Sequence, residues 1–148
     1  MPKEVKYGYL RGPRVFADAW PIAASQAFKN DGGKFVKLAT NQVDIADSGD
    51  TELQGWAEVG EYTSSATAGA DKADVDVSPL SIYRMPADAD PATTVLGDTC
   101  DLIITSDIQY ADVGESTEDV IKIINHDSTN DTVDVHMAFP KLDATGVV

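Results

Sequence analysis

Cys100, His126 and His136 are the residue types that could form a nucleophile and its base. Their setting argues against that chemistry. Cys100 opens an apolar run, Leu102-Ile103-Ile104, where a free cysteine is a small apolar filler. His126 falls at a loop edge and His136 on the outer face of an alternating segment. The acidic residues Asp44, Asp47, Asp50 and Glu52 could offer oxygens to a hard cation such as calcium, but their spacing does not fit the EF-hand loop. His126, Asp127 and Asp131 lack metal-ligand spacing. Glu58 with Glu61, or Asp74 with Asp76, could serve as a glycosidase pair, yet so could any two of 25 acids. Asp74 and Asp76 alternate with valines, as on a wet strand face. There is no GxGxxG, Walker loop, GxSxG or HExxH sequence. The sequence therefore predicts no enzyme, no catalytic residue, no cofactor and no metal site.

Charge is divided unevenly along the chain. Residues 1–40 hold seven basic residues against three acidic ones, a net of +4, while residues 41–148 hold four against 22, a net of −18. An overall charge of −14 repels nucleic acid and anionic membranes. Within the basic part, Tyr7, Tyr9, Arg11, Arg14, Phe16 and Trp20 interleave aromatic rings with guanidinium groups. Such residues anchor protein interfaces. They are the expected partner-binding residues, and Arg11 and Arg14 are expected to meet carboxylates on the partner. Deletion of residues 1–20 is expected to abolish binding and leave the rest folded. Trp20→Ala is expected to cost more binding than Lys72→Ala.

The elements that must position these residues are short strands. Gly8, Gly12, Pro13 and Pro21 break regular structure across residues 1–33, which read as an extended arm with a short helix over 22–29 and a turn at Asn30-Asp31-Gly32-Gly33. Residues 34–139 read as a β-domain, and 140–148 as a C-terminal tail. Strands are predicted at 35–39, 53–59, 73–77, 80–85, 100–104, 108–110 and 132–139, with a turn-rich connection at 44–51 and exposed loops at 60–72 and 86–94. Residues 120–124 follow a helix-cap-like Ser116-Thr117-Glu118-Asp119, but their β-branched content favours a strand, with a helix as the alternative. Val120–Ile124 and Thr132–Phe139 form a hairpin across the Asp127–Asp131 turn. Val133, Val135, Met137 and Phe139 face one way, and Asp134, His136 and Ala138 the other. Gly55, inside a strand, predicts a bulge or close packing. Seven or eight short strands indicate an all-β barrel or sandwich carrying an extended N-terminal arm. One cysteine excludes an internal disulfide framework, and Met1–Glu4 has no apolar secretion signal. No apolar run is long enough to span a bilayer.

The layout of Lys34–Thr40, Gly55-Trp56-Ala57-Glu58, Ala73–Val77, Leu96-Gly97-Asp98-Thr99-Cys100-Asp101-Leu102 and the closing Thr132–Met137 segment resembles the small head decoration (cement) proteins of tailed phages. The resemblance covers residues 34–139. It implies a non-enzymatic virion protein on the capsid exterior, made in the host cytoplasm. Such a protein binds the major capsid protein and braces neighbouring subunits, often as a homotrimer. The arm departs from the shortest members of that group. Two other readings stay open: a tail- or fibre-associated virion protein, and a calcium- or carbohydrate-binding β-sandwich.

Overall fold

β-branched and aromatic residues at every second position, broken by Asp, Gly and Pro clusters, leave this chain little but short antiparallel strands. The computed structural model describes residues 7–29 and 32–138. It holds thirteen strands and a single 3-10 turn at Thr93–Val95. The protein is all-β, with a sandwich-like arrangement and no closed barrel. The Asn30-Asp31 part of the expected turn, Phe139 and the tail 140–148 lie outside the described residues.

Six strands form one sheet, in the order β1 (Gly8–Arg11), β9 (Ile82–Pro86), β13 (Thr132–Met137), β12 (Ile121–Asp127), β10 (Thr99–Thr105) and β11 (Ile108–Asp112). Five form a second, in the order β2 (Phe16–Pro21), β8 (Lys72–Asp76), β6 (Gly55–Ala57), β4 (Lys34–Ala39) and β5 (Gln42–Ile45). A small third sheet pairs β3 (Ala27–Phe28) with β7 (Tyr62–Thr63). Each large sheet curls back on itself through one parallel bridge: Ala87 to Ala111 in the first, Ile22 to Val43 in the second.

The curl gives each sheet its own core. Tyr83, Met85, Leu102, Ile121, Ile123, Val133 and Val135 fill the first. Ile22, Phe28, Val36, Val43, Ala73 and Val75 fill the second. Strand β4 joins the two, because alternation sends Phe35 into the first core and Val36 into the second. Phe35 meets Trp56 and Tyr83 edge to face, at centroid distances of 4.7 and 5.5 Å, and Trp56 stacks on Tyr83 at 4.4 Å.

Gln109 stitches the sheets. Its carboxamide accepts from Phe35 N at 2.9 Å, and donates to Phe35 O at 3.0 Å and Ala46 O at 2.8 Å. A buried side chain thus pairs with β4 as a neighbouring strand would.

The expected hairpin is present, with Ile121 opposite Met137 and Asp127 opposite Thr132. Several expectations are corrected. Residues 22–29 form no helix. Ile22 N donates to Asp71 O, Ala23 N to Val43 O and Ser25 N to Ser65 O, so their hydrogen bonds go to distant strands and loops. The strand expected at 53–59 is confined to 55–57, and β5 runs into the connection expected at 44–51. The loop expected at 60–72 contains β7 and a buried Ser64. Gly55 does pack closely, since a Cβ there would lie 2.3 Å from Asp76 O. Asp134 is turned from the core as expected, yet it is buried under Arg84, whose Nε and Nη2 donate to its two oxygens at 2.8 and 3.1 Å.

Replacing Gln109 by Leu removes all three cross-sheet bonds while keeping the apolar volume. Phe35 O keeps Ala46 N as a donor at 3.1 Å, while Phe35 N and Ala46 O lose their Gln109 partner, and each orphaned backbone group costs about 1–3 kcal/mol. Urea unfolding of Gln109→Leu is expected to show a clear loss of stability, and a midpoint equal to the parent's would refute the stitching role.

A candidate partner-binding surface at the arm crossing

Segment 12–16 is laid along segment 76–81. Val77 N donates to Val15 O at 2.8 Å, and Ser81 Oγ to Pro13 O at 2.9 Å. Gly12 holds φ at +109°, and a Cβ there would lie 2.5 Å from Leu80 O, so only glycine allows this approach. Residues 8–11 and 16–21, expected as a projecting arm, thus form β1 on β9 and β2 on β8.

Asp76 anchors the crossing. It was expected on a wet face, but it is wholly buried, because the arm segment covers the end of β8. Its Oδ1 accepts from Val15 N at 3.2 Å and Ser78 N at 3.1 Å. Its Oδ2 accepts from Tyr83 Oη at 2.5 Å and Arg14 Nε at 3.1 Å. Burial alone would raise the Asp76 carboxyl; the Tyr83 and Ser81 hydroxyls, Ser78 N–H and Arg14 outweigh it and hold the group below its ordinary value.

The sequence-predicted residues divide into committed and free groups. Arg14 meets its carboxylates within its own chain, pairing with Asp76 and, at 3.1 Å, with Glu58. Its Nη2 is buried without an acceptor among the described residues. The guanidinium carbon lies 3.9 Å from the Tyr9 ring centroid and 4.7 Å from that of Phe16. Tyr9 donates to Gly12 O and packs edge to face with Tyr83. Trp20 is half-buried against the second core. Arg11 is exposed, and Phe16 is 44% exposed. Tyr7 is half-buried on the wall of a separate groove. Val15 and Leu80, at 57% and 54% exposure, join Phe16 along the crossing. Among the described residues, three of the five large exposed hydrophobic residues therefore lie on segments 12–16 and 76–81. The sequence reading did not single out Val15 or Leu80, because nothing in their neighbours shows which segment lies beside them.

The other candidate groups are not gathered. Cys100 shares a sheet face with its partners Ile121 and Met137, while His136, next to Met137, points to the opposite face. Burial pushes the Cys100 thiol up to about 12, which keeps it from acting as a thiolate. Asp47 Oδ1 accepts from Ser48 N and Ile104 N, and Asp50 pairs with Lys37 at 2.6 Å, so N–H donors already occupy these oxygens. No cluster of three His, Cys, Asp or Glu able to hold a metal ion occurs among the described residues. Lys34 is buried with Nζ donating to Ala27 O and Asp107 O, and burial lowers it to about 8. It ties β3 to the β10–β11 turn. Among the described residues no helix is long and apolar enough to cross a membrane. No protein family, curated protein or solved structure matches this chain.

Removal of residues 1–20 would strip Asp76 of Arg14 and Val15 N and uncover both sheet edges. With those contacts gone, the truncated chain is now expected to unfold or aggregate instead of staying folded. Arg14→Met, which leaves the carboxylate buried without its cation, is expected to cost about 3 kcal/mol in denaturant unfolding. Unchanged stability would show that the pair is dispensable.

Two carboxyls act oppositely on pH. Asp76, held low, adds stability above its ordinary value near 3.8 that is lost as pH falls below it. Asp112 is raised to about 6 by burial and then by its hydrogen bond to Asp88. The folded state therefore binds its proton more tightly, and stability falls as pH rises from about 4 to about 6. Asp112→Asn is expected to flatten that decline in urea midpoints; an unchanged slope would assign it elsewhere.

Proposed function

We propose that the protein is a non-enzymatic structural component of a virion, which binds the outer capsid surface and braces contacts between major capsid subunits. The observation that carries this reading is the exposure of Val15, Phe16 and Leu80 on the two adjoining segments of the arm crossing. An arm held on the body presents these side chains at no further ordering cost, and pre-ordered exposed apolar groups suit docking. The layout that resembles phage head decoration proteins supplies the identity of the partner, and a homotrimer is the assembly that resemblance implies. The rest of the surface is strongly acidic, which limits unspecific association with nucleic acid and suits a soluble coat component that must find one surface.

The test is binding to capsids that lack the protein. Val15→Ser with Leu80→Ser removes exposed apolar area and touches no buried group, so melting is expected to stay near the parent's. Capsid affinity is expected to fall about tenfold or more, as loss of central anchors does. Lys72→Ala is expected to leave binding unchanged. Normal capsid binding by the double variant would overturn the docking role of these residues. Light scattering with and without calcium separates the other readings: a melting temperature raised by calcium would favour a metal-dependent binding module.

A further inference from the structure

A second concave site lies away from the arm crossing. It opens where the first sheet curls back on itself, between the Ala87–Ala111 bridge, β11 and the Asn130-Asp131 turn of the β12–β13 hairpin. Its volume is about 390 Å3, at the lower end of the roughly 300–1,000 Å3 of small-ligand sites. That size suits a small ligand better than a helix or a strand.

The lining mixes two kinds of chemistry. Tyr7, Tyr110 and Ile108 give apolar surface, with both tyrosines half-buried. Lys29, Asn130 and Asp131 line it as well. Lys29 is paired with Asp107 at 3.6 Å, so its charge is locally balanced. Asn130 Nδ2 donates to Asp127 Oδ2 at 2.8 Å, which fixes that carboxamide. No donor among the described residues hydrogen-bonds the Asp131 carboxylate, while its backbone is held by Ala87 N at 2.8 Å.

The groove thus offers donors, in the Lys29 ammonium and two phenols, beside acceptors in Asn130 and Asp131. An anion is disfavoured by Asp131 and by the net charge of −14. A cation could use Asp131 and the rings but none of the donors. A sugar uses both, because each hydroxyl donates and accepts, and its C–H face packs on an aromatic ring. We propose that this groove binds a short neutral saccharide, with a sugar face on Tyr7 and Tyr110 and its hydroxyls on Lys29, Asn130 and Asp131. The site is independent of the capsid-docking residues, and either can fail without the other.

The experiment is an amide NMR titration of the full chain with glucose, galactose, mannose and N-acetylglucosamine, and with their methyl glycosides. The glycosides stand for a sugar attached within a glycan, and free sugars stand for a metabolite. Saturable shifts are expected at Ala87, Ile108–Ala111 and Asn130. Tyr110→Ala is expected to weaken binding about tenfold, the worth of one stacked ring. Tyr7→Ala gives the same check if the Tyr110 variant does not fold. Asp131→Asn is expected to weaken binding less than either ring change; asparagine tolerates the positive φ of 52° at that position. No saturable shift with any sugar would overturn the proposal. So would shifts produced by N-acetyl-arginine amide that vanish in Asp131→Asn, which would mark a cation site instead.

Discussion

A buried carboxylate decides how this chain closes. Asp76 has no exposed surface, and its oxygens take hydrogen bonds from Val15, Ser78, Tyr83 and Arg14. Such a charge is tolerable only when every donor is in place. Two of those donors come from the N-terminal segment and one from the first core. The segment therefore cannot leave without stranding a charge, and Tyr83, locked by the same carboxylate, fixes the position of Trp56 and Phe35 beneath it.

The two cores depend on a second arrangement of the same kind. Strand β4 shares its two faces between them, and Gln109 supplies the hydrogen bonds that a further strand would otherwise have made to Phe35. Backbone bridges at Ala87–Ala111 and Ile22–Val43 turn each sheet over its core, and the shared strand sets one against the other. Close backbone approaches at Gly12 and Gly55 leave no room for a side chain at these joints.

These constraints reshape what the basic, aromatic N-terminal part can do. Arg14 and Tyr9 spend their polar groups inside the molecule. What stays exposed at the crossing is Val15, Phe16 and Leu80, held on the body instead of on a tether.

Alternation and turn chemistry alone were enough to mark an all-β chain, the β12–β13 hairpin, the buried character of Cys100 and the tight packing at Gly55. These are local properties, set by period and by residue type. They could not show that Asp76 is buried, since its alternation with valines is that of a solvated face and only the overlying segment changes its surroundings. Nor could they show that residues 22–29 avoid a helix, because the partners of their backbone groups lie at positions 43, 64, 65 and 71. Val15, Leu80 and Gln109 were silent for the same reason. What each does depends on which distant segment lies beside it, and that is decided only when the chain folds.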